Sequence, residues 1–144
     1  MRSMLILATL AALVLAAPAS AKVKRLEATM TGAQETPAAD PDARGTAKLR
    51  LDRAKKKVCF TIRVNDAVED VVAAHIHKGG KGVAGDILVP LINSAAPGPK
   101  FTGCEKNVAR SVIRAILRHP RRYYVNVHTM DFPGGELRGQ LRKP

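Results

Sequence analysis

Gly45-Thr46-Ala47-Lys48-Leu49-Arg50-Leu51-Asp52-Arg53-Ala54-Lys55-Lys56-Lys57-Val58-Cys59-Phe60-Thr61-Ile62-Arg63-Val64 decides the class of fold. Ala47, Leu49 and Leu51 alternate with Lys48, Arg50 and Asp52, and Val58, Phe60, Ile62 and Val64 alternate with Cys59, Thr61 and Arg63. A period of two sends the two sets to opposite faces of an extended strand. The polar run Arg53 to Lys57 between them is a turn, its lysines the solvated tip. The stretch therefore predicts an antiparallel hairpin with one buried and one wet face.

The same pattern recurs on both sides of the hairpin. Val23 to Met30 places Leu26, Ala28 and Met30 on one face, and Thr31 to Asp42 is too rich in Gly, Pro and Asp for regular structure. Val71 to His77 reads as a strand that dissolves into the glycines of 79–85, and Asp86 to Ile92 as another, ended or bulged by Pro90. Asn93 to Lys100 reads as loop. Tyr123 to His128 and Glu136 to Leu141 complete the strands. One helix is expected from an Asn107 N-cap, with Val108, Val112, Ile113, Ile116 and Leu117 on its apolar stripe and Pro120 as its stop. Many short strands with turn signals between them and a single helix predict a β-sandwich or partly closed barrel.

The N-terminus has its own pattern: Arg2, an apolar run from Met4 to Ala17, then Pro18-Ala19-Ser20-Ala21. The small residues Ala19 and Ala21 fit signal-peptidase cleavage after Ala21. Residues 1–21 are thus expected to be a cleaved Sec-type signal peptide and 22–144 a single secreted or periplasmic domain, with no transmembrane anchor after cleavage. Exported chains oxidise paired cysteines, so Cys59 and Cys104 are expected to form a disulfide. Closing that loop would stabilise the fold by about 4 kcal/mol at most.

The chain holds 24 Lys and Arg against 12 Asp and Glu, a formal charge of +12. Such a balance favours acidic partners, an anionic surface or polysaccharide. Nucleic acid is not expected, because three Phe, two Tyr and no Trp offer little stacking surface. Arg110, Arg114 and Arg118 recur every four residues on the polar side of the expected helix and are candidates for contact with an anionic surface.

Two imidazoles, His75 and His77, share one face of their strand, and a third, His128, ends another strand. Imidazole suits copper and zinc, so His75, His77 and His128 are a candidate metal site, with Asp86, Asp131 or Glu136 as possible oxygen donors. The alternative is that these rings hydrogen-bond the backbone of the glycine loops, with Glu35, Arg138 and Gln140 in the same polar network. No GxSxG is present, and the adjacent Glu69 and Asp70 face opposite ways, so neither acyl transfer nor paired-carboxylate catalysis is supported.

Thr31-Gly32-Ala33-Gln34-Glu35-Thr36-Pro37, then Gly45-Thr46-Ala47, then Ala73-Ala74-His75-Ile76-His77 with Gly79, Gly82 and Gly85 form a first set of motifs. Tyr123-Tyr124-Val125-Asn126-Val127-His128-Thr129 and Phe132-Pro133-Gly134-Gly135-Glu136-Leu137-Arg138-Gly139-Gln140 form a second. Together, from about Leu26 to Leu141, they resemble the CHRD domain, first recognised in chordin and also found as a lone exported domain in bacteria. The resemblance implies a mainly β fold, an immunoglobulin-like or copper,zinc superoxide-dismutase-like antiparallel β-sandwich with one short helix. It implies no particular activity, and the expectation is a non-enzymatic extracytoplasmic binding or structural module. The competing expectation is a copper or zinc protein with dismutase-like redox activity, since the histidine spacing is similar to the start of a dismutase copper site. The sequence departs from that pattern, because His119 is the only other histidine and no histidine-rich zinc loop is present.

Overall fold

The computed structural model describes residues 23–144. The expected signal peptide, with its cleavage position after Ala21, lies outside them. The described strands are β1 (Lys24–Thr31), β2 (Arg44–Asp52), β3 (Lys57–Val64), β4 (Val71–Lys78), β5 (Ile87–Ile92), β6 (Lys100–Glu105), β7 (Tyr123–Thr129) and β8 (Leu137–Gln140), with one helix, α1 (Arg110–Arg118). They form one eight-stranded antiparallel sheet in the order β5-β4-β7-β8-β1-β2-β3-β6. Its two edge strands, β5 and β6, come back against each other, so the sheet is rolled into a nearly closed barrel. The mainly β class, the antiparallel pairing and the single short helix are as expected, and all the strands join one sheet, with bulges where β4 meets β5 and β7.

The hairpin that decided the class is β2–β3, paired without a break from Gly45↔Val64 to Asp52↔Lys57. Ala47, Leu49, Leu51, Val58, Phe60, Ile62 and Val64 all point into the core. Leu26, Ala28 and Met30 of β1 continue that inner face. Each fully buried Leu or Ile contributes about 1.5–3 kcal/mol, so this interior is the main stabilising term. Among the described residues no helix is long and apolar enough to cross a membrane.

Two local readings change. Lys100–Glu105, of which the sequence reading places Lys100 at the end of a loop and assigns the rest to no element, is strand β6. Its inward positions are Phe101 and Gly103, and a side chain at 103 would stand 2.8 Å from the Phe60 ring. The core therefore takes no side chain there, and the apolar alternation that marks the other strands is missing. Second, the helix begins at Arg110 with Ala109 as its N-cap, not at Asn107. Asn107 has φ 61°, a left-handed turn residue, and Val108 is buried before the helix while its N–H donates to the Lys56 carbonyl (3.0 Å). Ile113 and Ile116 anchor α1 to the core as expected, and the helix ends before Pro120.

Cys59 and Cys104 face each other across β3 and β6 and are bonded, closing a separation of 45 residues. The disulfide ties an edge strand to the central hairpin. A bonded pair is the redox mark of an extracytoplasmic protein.

Candidate metal centre

The register of β4 on β7 builds the site. Ala73 stands opposite His128, His75 opposite Asn126 and His77 opposite Tyr124. Opposed residues of an antiparallel ladder project to the same face. The three imidazoles therefore share the outer face of one ribbon, while Ala74 and Ile76 fill the core behind it. β8 widens this face, placing Arg138 beside Asn126 and Gln140 beside Tyr124.

One nitrogen from each of His75, His77 and His128 lies within 4.8 Å of the other two. His75 Nδ1 and His128 Nε2 are 3.1 Å apart. Tetrahedral coordination at zinc–nitrogen bonds of 2.0–2.1 Å needs ligand nitrogens about 3.3 Å apart, so that pair already has the right bite, and the His77 nitrogen lies within 4.8 Å of both. His77 Nδ1–H donates to the Gly85 carbonyl (2.8 Å), and His128 Nδ1–H to the Pro133 carbonyl (2.9 Å). A carbonyl can only accept, so both rings are fixed with a lone pair on Nε2. The Nε2 of His77 is buried and has no hydrogen-bond partner. Leaving such an atom unsatisfied costs about 1–3 kcal/mol.

The loop of residues 79–86 that orients His77 is itself held from below. The Arg138 guanidinium donates to the carbonyls of Gly80 (2.6 Å) and Val83 (3.0 Å), and Gln140 Nε2 donates to that of Gly79 (3.0 Å). Gly85 N–H donates to the Tyr124 hydroxyl (3.2 Å). Arg138, Tyr124 and His77 form a stack: the guanidinium carbon lies 3.5 Å from the tyrosine ring centre, and the two rings are 4.9 Å apart at 8°. A Cβ at Gly85 would overlap the Lys78 carbonyl oxygen. Gly85→Ala must therefore displace the carbonyl that fixes His77, and it is expected to weaken copper or zinc binding about tenfold or more, as loss of outer-shell partners does. Unchanged affinity in a zinc titration would show that this carbonyl does not orient the ring.

On the other flank Asn126 Nδ2 donates to Glu35 Oε1, and Gly135, at φ 126°, packs where a side chain would strike both. Asn126 Oδ1 is the second buried side-chain atom without a partner among the described residues. Burial raises the Glu35 carboxyl above its ordinary value, against the opposing pull of Asn126 and Arg138.

Burial lowers all three histidines. His75 is pushed down to about 4, first by burial and then by His128 and His77. His77 falls through burial against the opposing Gly85 hydrogen bond, and His128 through burial against that of Pro133. All are neutral at pH 7, the state that ligates a metal. Each folded-state value lies below the ordinary 6.5, so on acidification the unfolded chain takes up protons first. Their contribution to stability is full above pH 6.5 and is lost as pH falls, down to about 4 for His75. Glu35 and Glu136, raised by burial, act with the opposite sign. The His75 share is therefore read as a difference: between pH 6.5 and about 4 the metal-free protein is expected to lose more Tm than a His75→Asn variant. Parallel Tm curves would contradict the lowered His75 value.

The expected oxygen donors do not join the cluster. Among the described residues the histidines alone make up the close group. Asp131 and Glu136 line a different, acidic cavity with Asp40, Asp66, Glu69 and Asp70, and Asp86 acts on His77 only through its charge. Arg138 and Gln140 do enter the network, and Glu35 enters it through Asn126. Tyr124 and Asn126 stand opposite His77 and His75, and the sequence reading named them only within the family motif. Their signal was the polar period-two series Tyr124, Asn126, His128 inside an apolar strand.

A family model for the CHRD domain matches residues 26–141, the span that the motifs marked. The chain belongs to the CHRD domain family. No curated protein and no solved structure matches it. In this CHRD domain the family-like blocks, 73–85 and 123–140, are the segments that meet around the histidines.

Proposed function

We propose that this CHRD domain is an extracytoplasmic binding module that takes one copper or zinc ion through His75, His77 and His128. The observation that carries the reading is the buried, unpartnered Nε2 of His77, aimed from a ring whose other nitrogen is already committed to Gly85. Organising the glycine loop accounts for the Nδ1 atoms of His77 and His128, while the Nε2 of His77 has no partner and that of His128 meets only His75, so loop support and metal binding use different nitrogens of the same rings. In the metal-free protein His75 Nδ1–H donates to His128 Nε2; for His75 to ligate through Nδ1 as a neutral ring, its proton would shift to Nε2. A bound ion would supply a Lewis-acidic centre with a coordination position left over. The protein residues supply three neutral donors, their orientation by backbone carbonyls, and the Tyr124–Arg138 stack behind His77. The proposal is one of binding and includes no turnover.

Export through the 1–21 leader, with cleavage after Ala21, belongs to the same proposal, as does a single domain over 22–144; the disulfide supports an oxidising destination. Calorimetric titration of the purified mature protein with Zn(II) and Cu(II) is the test. One equivalent per chain is expected, with a rise in Tm worth about 2.7 kcal/mol at a hundredfold excess over Kd. No stoichiometric binding and an unchanged Tm with both metals would refute the site.

A further inference from the structure

Away from the histidines, the C-terminal end of α1, the 3-10 turn Pro120–Arg122 and the segment after β8 enclose a cavity of about 570 Å3. Arg118, Arg121, Arg122, Arg142 and Lys143 line it. A helix C-terminus draws one cation to its free carbonyls, and Arg118 meets that need. The other four exceed it. Among the described residues the one ion pair is Arg142–Glu27 (2.8 Å), with the arginine about half exposed, a pair of little net worth that a stronger anion can displace.

The walls are pinned. Gln140 Nε2 donates to the Arg121 carbonyl (2.9 Å) and Gly79 N–H to that of Arg122 (2.8 Å). On the opposite wall Arg142 and Glu27 exchange backbone hydrogen bonds of 2.8 and 2.9 Å. The backbone is thus satisfied and fixed while the Arg118, Arg121 and Arg122 side chains stay exposed and Arg142 is held only by its surface pair with Glu27, an arrangement that lowers the ordering cost of binding. Arginine forks match carboxylate and sulfate oxygens two at a time. Arg114, exposed one turn before Arg118, continues the cationic track out of the cavity along α1. Arg110 is engaged otherwise, donating to the carbonyls of Arg53 and Ala54 at 3.4 Å each.

We infer that this cavity and the track through Arg118 and Arg114 bind a linear acidic polysaccharide, with one charged sugar seated among Arg118, Arg121, Arg122, Arg142 and Lys143. The composition of the patch selects this occupant. A bilayer-docking face would pair its cations with exposed apolar side chains for insertion. Among the described residues the exposed large apolar ones are Val23, Val83, Ile87 and Met130, and none lines the cavity. Single-stranded nucleic acid would need aromatic platforms, and the nearby Tyr123 and Tyr124 are buried. Charge and forked hydrogen bonding alone remain, the recognition chemistry of uronates and sulfated sugars.

A labelled heparin oligosaccharide is the probe, titrated by fluorescence anisotropy against the mature chain at two salt concentrations. Salt-sensitive binding is expected, weakened about tenfold or more by the Arg118→Glu, Arg121→Glu, Arg122→Glu triple variant. A second triple, Arg63→Glu, Lys81→Glu, Lys100→Glu, changes the net charge equally at exposed sites elsewhere and is expected to cost less than a third of that loss on a logarithmic scale. Equal losses in the two triples would reduce the effect to net charge and overturn the site, as would absence of binding. Tighter association with phosphatidylglycerol vesicles than with heparin at matched charge would also overturn it. Arg121→Gln with Arg122→Gln, compared at equal Tm to the parent, guards against a folding defect.

Discussion

His77→Ala is expected to abolish stoichiometric copper and zinc binding while leaving the β fold intact. Of the three rings, His77 has the most constrained geometry. Its Nδ1–H is spent on Gly85, its plane is clamped against Tyr124, and its Nε2 is buried with nothing to bond. Removing it leaves two donors, His75 and His128, which already satisfy each other at 3.1 Å. A two-histidine remnant whose nitrogens share a proton is a poor chelator, so a loss of a hundredfold or more in affinity is expected, larger than the roughly 10–100-fold cost of an outer-shell change. The substitution also removes an unsatisfied buried nitrogen, which offsets part of the lost packing on Tyr124, so the metal-free variant should fall in Tm by only a few degrees. Calorimetry on folded His77→Ala decides the matter. Affinity within threefold of the parent would place the metal elsewhere, and a protein that fails to fold is replaced in the test by His77→Gln, which keeps a polar group of similar reach.

The second large effect is on stability. The double variant Cys59→Ser, Cys104→Ser is expected to lose up to about 4 kcal/mol, the chain-entropy value for a loop of this length. In a domain of this size that corresponds to roughly 10–15 °C in Tm. The reason lies in topology as well as entropy: β6 is an edge strand whose inward face holds a glycine opposite Phe60, so it buries little side chain of its own. Holding β6 to β3 also holds the segment from which α1 departs, where Val108 bonds to the β2–β3 turn. Thermal unfolding of the double variant against the parent measures this. A change under about 1 kcal/mol, or two free thiols in the denatured, unreduced parent, would contradict the tie.

The hairpin was legible because Lys48, Arg50, Arg63 and their neighbours alternate with residues that the barrel fully buries, and a period of two has no other structural meaning over that length. The strand β6 was not, because the side chain that would have completed its pattern is excluded by the Phe60 ring. The helix start was misplaced for a related reason: Asn107 has the chemistry of an N-cap, but its left-handed φ serves the turn out of β6, and only tertiary pairing of Val108 with Lys56 decides between the two. At the site, the histidine pair on β4 and the third ring on β7 could be read from the sequence, since each follows strand periodicity. What could not be read is the β4–β7 register, which sets His128 diagonally from His75 and places Asn126 and Tyr124 opposite His75 and His77. The assignment of each imidazole nitrogen depends in turn on the carbonyls of Gly85 and Pro133, delivered by loops whose course no periodicity encodes.

X-ray absorption at the metal edge of the zinc- or copper-loaded mature protein tests the central claim most directly, because it counts imidazole donors around the ion. The account predicts three imidazole nitrogens at about 2.0–2.1 Å for zinc, falling to two or fewer in His77→Ala. A shell of oxygen donors with at most one imidazole, or a spectrum that His77→Ala leaves unchanged, would contradict it.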